Sequence, residues 1–379
     1  MSVVVQRLGA SDFEEAMSLL DRVFGEYRPH DFRRMLPSVY RPTEDAMGRN
    51  LAVRQHGRIA ALLGVFPATW QVGDTALPLA RIGGVAVAPE QRGRGWMRRL
   101  MAEALQWVQE GRYPLAFLAG NRWLYARFGF ERAGTELRVH LLPRDITAAL
   151  GGSSGQRVQL RRMKSPISAE LLAWHACEPL RCRRLPEDFV PCLSAWHREP
   201  LAALDGQGKV VGYLTGSTSE GLVTELAAGD VQTGLGMLER WCQGRPVTWS
   251  AAPLPSPRLG ALLRLADHVQ AVESGSWRVL DWPTVLGSLL AALHCARPLP
   301  HGRAVIGVEG EPQSLGLEVT AAGTSCVCGS TEPARIATPG VWLRALTGPS
   351  GSIEFDFREV PMLAAWRPLP LWLSPQDQV

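Results

Sequence analysis

Residues 85–97 read Val85-Ala86-Val87-Ala88-Pro89-Glu90-Gln91-Arg92-Gly93-Arg94-Gly95-Trp96-Met97. The first of these residues are small or β-branched, as in a buried strand, and Pro89 ends that strand. After the glycines, apolar residues recur at helical intervals up to Val108. The sequence therefore predicts a strand, a glycine-rich turn and a helix in succession.

The predicted turn has the features of an anion site. A helix N-terminus presents unpaired backbone N–H groups and the positive end of the helix dipole, which favours a phosphate there. Gly93 and Gly95 allow the backbone to approach a ligand closely, and Arg92, Arg94 and Arg98 add charge. We expect the turn to bind a pyrophosphate; the alternative is an ordinary helix start with two glycines.

Two common phosphate loops fit this turn less well. No Lys-Ser/Thr pair follows it, as in a P-loop, and the third glycine of a dinucleotide fingerprint is missing. The preceding residues 51–54, 59–70 and 77–88 have the composition of three antiparallel strands. A dinucleotide-binding domain would instead place the turn after the first strand of a parallel βαβ unit.

Composition and charge limit the classes of partner. The 40 basic residues are interspersed with 36 acidic ones, without a long block of either sign, which predicts no nucleic-acid partner. The first residues lack a secretory pattern and no apolar run approaches the length of a membrane span, so we expect no membrane partner and a cytoplasmic location. A group of His and Cys residues lacks paired C-x-x-C spacing, so we predict no metal site there; it comprises His175, Cys177, Cys182, Cys192 and His197.

The length of 379 residues favours two or three domains. Gly-Gly-Ser-Ser-Gly at residues 151–155 is a linker signal, and the pattern changes again near Trp277. We predict domains at residues 1–150, 151–278 and 279–379. The middle one has a similar order of strands and helices to the first, without its glycine-rich loop, and the last is α+β.

Residues 82–130 resemble the GNAT superfamily of N-acetyltransferases. The phosphate motif of that family, Gln/Arg-x-x-Gly-x-Gly/Ala, is matched by residues 90–95 except that Glu90 stands at the first position. The Val-Ala-Val-Ala-Pro entry to the loop, the chain plan and the segment Leu124-Tyr125-Ala126-Arg127-Phe128-Gly129-Phe130 carry a closer resemblance to the enhanced intracellular survival (Eis) acetyltransferases. The resemblance implies an α/β fold of two tandem GNAT-like domains, the second degenerate, followed by a sterol-carrier-protein-like α+β domain. It also implies acetyl-CoA as the donor, no metal, and a homo-oligomer, expected to be a hexamer.

The resemblance implies roles for single residues as well. Those expected to contact CoA are Val85, Ala86, Val87, Arg92, Gly93, Arg94, Gly95, Trp96, Met97, Arg98, Gly120 and Asn121. Tyr125 falls where the family has its general acid, and a phenol with a pKa of about 10 can protonate a departing thiolate. The general base would be the C-terminal carboxylate, here that of Val379; the alternative is a polar, frayed tail.

An acceptor pocket is expected near three carboxylates. Glu26, Glu44 and Asp45 lie where GNAT proteins bind the acceptor, and they would attract a cationic amine; each also fits a solvated surface acid. Trp123 either lines this pocket or belongs to the core. We predict direct transfer from acetyl-CoA to a primary amine, on an aminoglycoside-like or polyamine-like molecule or a lysine. The alternative is a non-catalytic acyl-CoA-sensing module whose C-terminal domain binds a lipid or a protein.

Overall fold

The computed structural model describes residues 4–25, 30–151 and 158–379, and it shows a mixed α/β chain. Glu26 and residues 152–155 of the predicted linker lie outside the described residues.

The elements of the first 150 residues are the strands β1 Val5–Arg7, β2 Asn50–Gln55, β3 Arg58–Val72, β4 Thr75–Val87, β5 Leu115–Leu118, β6 Glu131–Ala133 and β7 Glu136–Leu141, and the helices α1 Phe13–Phe24, α2 Phe32–Met35, α3 Glu44–Met47, α4 Trp96–Glu110, α5 Arg122–Tyr125 and α6 Pro143–Ala149. The next elements are β8 Gln159–Arg162, α7 Ala169–Ala176, β9 Leu180–Cys182, α8 Pro186–Leu193, β10 Glu199–Leu204, β11 Val210–Ser217, β12 Leu222–Ala228, α9 Val231–Cys242, β13 Val247–Ala251, α10 Pro257–Leu265, β14 Ala266–Val272 and β15 Gly275–Val279. The last are α11 Trp282–Ala296, β16 Gly302–Val308, β17 Ser314–Thr320, β18 Gly323–Gly329, β19 Arg335–Ala337, α12 Pro339–Thr347, α13 Gly351–Glu354 and α14 Pro361–Trp366.

The first sheet has the strand order β1-β2-β3-β4-β5-β15-β6, with β9 paired to the far end of β3. Strands β2, β3 and β4 form an antiparallel meander, as predicted, and β5 runs parallel to β4. Helix α4 connects these two parallel strands and buries Leu100, Met101, Ala104 and Val108 against the sheet. The predicted succession of strand, glycine-rich turn and helix is confirmed.

The second sheet repeats this arrangement strand by strand. Its order is β8-β10-β11-β12-β13-β7-β14, and β12 and β13 are its parallel pair, connected by α9. The other neighbouring strands are antiparallel in both sheets. A common architecture therefore recurs in the two halves, although one has the glycine-rich loop and the other does not.

The two sheets exchange strands: β7 lies in the second sheet, and β15, like β9, lies in the first. β7 comes before the predicted linker yet lies in the second sheet, between β13 and β14, where Val139 and Leu141 join its core. β15 lies in the first sheet between β5 and β6, where Trp277 is fully buried against Phe117 and Trp70. The limits predicted at residues 150 and 278 stay predictions of chain units, and the sheets do not divide there.

The third part of the chain packs on the first sheet. Its four-stranded sheet has the order β18-β17-β16-β19, and α11 lies over it. Trp282, Trp342 and Trp366 are buried in a cluster that also contains Trp70 and Trp277 of the first sheet. A shared core therefore fixes this part beside the first sheet.

Candidate active site

The parallel strands β4 and β5 separate at the centre of the first sheet. They pair from Leu79 opposite Leu115 to Ile82 opposite Leu118, where β5 ends, whereas β4 continues to Val87. Beyond Ile82, no strand of the described chain pairs with this edge of β4. Its backbone N–H and C=O groups are thus available to a ligand that extends along the strand.

A β-bulge lies where the two strands part. On the β3 side, Leu62 pairs with Ala86 and Gly64 pairs with Gly83, so that β4 has one residue more than β3 in between. Gly84 in this bulge has a φ of +58°, and a Cβ there would lie 2.3 Å from the Tyr40 hydroxyl oxygen. Glycine is therefore required for both conformation and space, and the bulge redirects the backbone groups of β4.

The glycine-rich turn leaves the start of α4 open. Gly93 and Gly95 have φ values of +80° and +78°, and no atom lies within 4 Å of a Cβ built on either. Gly95 is the N-cap of α4 without a side-chain cap, so the first N–H groups of the helix face this open space. Arg94 and Arg98 are exposed beside it. The turn has the geometry of an anion site, as its sequence predicts.

Tyr125 is the last residue of α5, and its ring lies beside Gly120, two residues after β5 ends. A Cβ at Gly120 would lie 2.5 Å from Cε2 of Tyr125, so the ring packs directly on the glycine backbone. Burial raises the pKa of the Tyr125 phenol, which keeps it protonated at neutral pH. Asn121 caps α5 by accepting the Trp123 backbone N–H at 3.0 Å.

The C-terminus lies against β4. A Cβ at Gly83 would be 2.7 Å from the carboxyl carbon of Val379 and 2.8 Å from its oxygen, so only glycine leaves room for the terminus. Val379 is buried in a cluster with Tyr40 and Phe66. The tail is thus not frayed: its terminal carboxylate lies beside the bulge, where the edge of β4 becomes free.

Comparisons with known proteins identify an acetyltransferase domain in the first part of the chain. Residues 4–133 match the family profile described as acetyltransferase (GNAT) domain. This part of the chain is a GNAT acetyltransferase domain. Proteins named N-acetyltransferase Eis, from Mycobacterium tuberculosis and Mycobacterium bovis, are 37% identical over 118 residues. That alignment spans 28% of this chain and 29% of the length of these relatives.

Solved structures resemble the chain over its whole length. A GCN5-related N-acetyltransferase from Kribbella flavida has a TM-score of 0.69 and 18% identity, with both chains covered in full. Eis1 from Mycobacterium abscessus has a TM-score of 0.66 and 16% identity, covering 99% of this chain and 100% of its own. At these identities, the likeness concerns the fold. The mixed α/β architecture of the entire chain is therefore one that GNAT-like proteins share.

The tail that delivers Val379 to the GNAT domain is fixed by polar contacts. The side-chain amide of Gln376 donates to the carbonyl oxygens of Cys192, Leu193 and Ala195, at 2.9–3.2 Å, and its oxygen accepts from Thr224 at 2.9 Å. These contacts join the tail to the second sheet, to the C-terminal end of α8 and to Ala195 just beyond it. They hold the backbone three residues before the terminus.

A buried ionic cluster holds the next residue. Arg184 lies 2.9 Å from Asp377 and 2.5 Å from Glu225, and all three side chains are buried. Burial alone would lower the pKa of Arg184, but Asp377 and Glu225 raise it well above its usual value. Arg81 of β4 also donates to the backbone carbonyl oxygen of Asp377 at 2.8 Å. The tail is thereby joined to both sheets.

These tail contacts were missed by reasoning from the sequence. Arg81, Arg184, Glu225, Gln376 and Asp377 match no local motif, and each is far from its partners along the chain. The sequence predicts only the burial of Leu371, Trp372 and Leu373, because three large apolar residues among prolines are typical of an anchored, extended segment. That segment is buried in the structure and lies outside the helices and strands.

The residues predicted for the acceptor pocket are more dispersed. Glu44 accepts the backbone N–H of Ala10 at 3.0 Å, and Asp45 forms an ion pair with Arg49 at 2.6 Å. Trp123 is 84% exposed, so the alternative that it is a core residue is wrong. Its place in a pocket, like those of Glu44 and Asp45, stays a prediction.

The group of His and Cys residues in the second half has other partners. Nε2 of His175 donates to the carbonyl oxygen of Cys182 at 2.8 Å, and its Nδ1 lies 3.0 Å from the Tyr213 hydroxyl. Among the described residues, no three His, Cys, Asp or Glu side chains are grouped so as to hold a metal ion. None of the described helices is long and apolar enough to cross a bilayer.

Proposed function

We propose that the chain is an N-acetyltransferase that moves the acetyl group of acetyl-CoA to a primary amine by direct attack. The acceptor would be an aminoglycoside-like or polyamine-like small molecule, or a lysine side chain. The observation that carries the proposal is the terminal carboxylate of Val379 at Gly83, beside the free edge of β4. A chain terminus in this buried place brings a proton acceptor to the slot that the turn and the two strands form.

The donor would be held by backbone groups. Its pyrophosphate binds the N–H groups at the start of α4, assisted by Arg92, Arg94 and Arg98. Its pantetheine arm extends along Val85, Ala86 and Val87, and reaches Gly120 and Asn121 at the end of β5. A backbone N–H of β4 then polarises the thioester carbonyl and stabilises the oxyanion that forms during attack.

Two groups of the chain would move protons. An amine is protonated at neutral pH, and the carboxylate of Val379 accepts one of its protons. The free amine attacks the thioester carbon, a C–N bond forms, and the tetrahedral intermediate loses the C–S bond. Tyr125 donates its proton to the departing sulfur, and the acylated nitrogen gives up its second proton, which restores the Tyr125 phenol through solvent. The carboxyl group of Val379 then releases its proton to water. The products are the N-acetyl amine, CoA thiol and one proton, so atoms and charge balance.

A thiol-release assay with a panel of amines tests this function. We expect release of CoA thiol that depends on both acetyl-CoA and amine, with a product heavier by one acetyl group in mass spectrometry. CoA binding in calorimetry without turnover on any amine of the panel, including polyamines, aminoglycosides and lysine peptides, would contradict an enzyme. It would favour the acyl-CoA-sensing module instead.

The organisation of the whole protein is part of the same proposal. The repeated sheet supports the interpretation of the second half as a degenerate GNAT-like domain, and the third part would be sterol-carrier-protein-like. By resemblance to Eis acetyltransferases, we expect a cytoplasmic homo-oligomer, a hexamer. Sedimentation velocity measures the oligomeric state, and a monomer would contradict that expectation.

A further inference from the structure

The second sheet has a gap of its own between parallel strands. Strands β12 and β13 pair only at Leu222 opposite Thr248 and Val223 opposite Trp249. After these pairs the strands diverge, and no described strand lies between them. The remaining edges of β12 and β13 therefore face each other with unpaired backbone N–H and C=O groups.

This gap is a cavity of about 500 Å³, within the usual range for sites that bind small molecules. Most of its lining is apolar. The large side chains that contribute are Leu180, Leu226, Trp249, Leu254, Leu259 and Trp372. The last of these belongs to the C-terminal tail, so the tail forms one wall of the cavity.

Four buried polar atoms of the lining make no hydrogen bond within the described chain. Two of them, Nε of Arg258 and Oδ2 of Asp377, belong to side chains that are held in ion pairs. The hydroxyl of Ser250 and the indole N–H of Trp372 make no hydrogen bond within the described chain, although the residues are only 2% and 6% exposed. Native proteins rarely leave buried polar groups unpaired, because such groups have lost water without gaining another partner. A ligand with an acceptor for the indole and a partner for the hydroxyl would satisfy both.

The charges of the cavity disfavour an anion, because four carboxylates and only two guanidinium groups belong to its lining: those of Glu178, Glu225, Asp230 and Asp377 against those of Arg181 and Arg258. β12 leads into α9 through Gly229 and Asp230, and the Asp230 carboxylate accepts the Thr233 backbone N–H at 2.7 Å and its hydroxyl at 2.9 Å. A carboxylate thus occupies the helix N-terminus that a phosphate would need. Glu178 lines the cavity as well, and its Oε1 lies 2.6 Å from Nη2 of Arg258, so the two charges neutralise each other.

We propose that this cavity is a second ligand site, which takes an uncharged small molecule with an extended, amide-bearing chain. The amide groups pair with the free edges of β12 and β13, as an added strand does, and the indole of Trp372 donates to a ligand carbonyl. The apolar lining covers the remainder of the ligand. The site goes beyond the proposed acetyl transfer and does not depend on it.

The probe for this site is N-acetyl-alanyl-alanine N-methylamide, titrated against the whole protein by ligand-observed NMR. Saturating CoA fills the slot of the GNAT domain during the titration. We expect saturable binding in the millimolar range, as for other small fragments. N-acetyl-alanyl-alanine, which has a free carboxylate, should bind at least about tenfold more weakly because of the acidic lining.

Two variants locate the binding. Ala252→Trp fills the cavity and should abolish it, whereas Ala322→Trp, in the exposed turn between β17 and β18, is the matched control and should leave it unchanged. Ser250→Ala removes one unpaired hydroxyl and should lower the affinity for the probe about two- to tenfold. CoA affinity and thermal melting check that each variant is folded.

Three results would overturn the proposal: no saturable binding to the wild-type protein, unchanged affinity in both folded cavity variants, or tighter binding of the carboxylate probe than of the neutral one.

Discussion

Replacing the terminal carboxylate of Val379 by a carboxamide changes the proposed base and almost nothing else. The amide has the same shape, so it fits over Gly83 as the carboxylate does. The contacts of Gln376 and Asp377 that hold the tail do not involve the terminus. Semisynthesis by ligation of a short amidated peptide yields this variant.

The expected loss follows from the role of the group. A positioned general base contributes about two to four powers of ten, so kcat should fall by that factor, equivalent to roughly 3–5 kcal/mol. CoA affinity should not change, because the slot is formed by β4, β5 and the start of α4. The carboxylate must be deprotonated to act, so wild-type activity should fall in acid. The amide variant lacks this acidic limb.

The assay is steady-state thiol release as a function of pH. It compares the wild-type protein and the amide variant with two further variants. Val379→Ala keeps the carboxylate and loses only apolar side-chain packing, so its kcat should stay within about threefold. Extension by two glycines turns the carboxylate into a peptide bond and should resemble the amide. An amide variant with wild-type kcat and an unchanged pH profile would refute the assignment of Val379 and move the role to a water or another acid.

Three further variants test the remainder of the site. Tyr125→Phe should lower kcat by roughly two to four powers of ten at unchanged CoA affinity, as measured by thiol release and calorimetry. Gly95→Ala strains a left-handed residue by about 1–2 kcal/mol, and a loss of phosphate binding of the same size should raise the acetyl-CoA KM roughly five- to thirtyfold. Gly208→Ala has the same strain in open space elsewhere and should leave KM unchanged. Arg184→Met leaves two carboxylates buried without a counter-charge and should lower the free energy of unfolding by about 3–5 kcal/mol at neutral pH in denaturant titrations. The loss should diminish on acidification, because uncompensated burial raises the pKa of Glu225 in the folded variant above its unfolded value.

The site could be predicted from the sequence where its chemistry is local. The turn and the start of α4 depend on two glycines and on a helical pattern within a few residues, and both lie as predicted. Tyr125 is indicated by a short sequence segment, and the glycine on which its ring packs, Gly120, lies only five residues earlier in the chain. In each case, neighbouring residues in the chain determine the conformation.

The strand exchange could not be predicted in this way. β7 and β15 alternate apolar and polar residues, and this pattern fits an inner strand of either sheet. Their partners lie more than 100 residues away, so only packing decides. Trp277 fits against Phe117 and Trp70 of the first sheet, whereas Val139 and Leu141 complete the second core.

The exchange and the tail together make the proposed active site a property of the whole chain. β15 separates β5 from β6, so the GNAT sheet is incomplete without residues that follow the second half. The proposed base then depends on Arg184 and Glu225 for the position of Asp377, two residues before the terminus. Opening the second sheet would displace the proposed base, because Glu225 belongs to β12. The place of the terminal carboxylate therefore depends on the second half, although that half has no glycine-rich loop of its own.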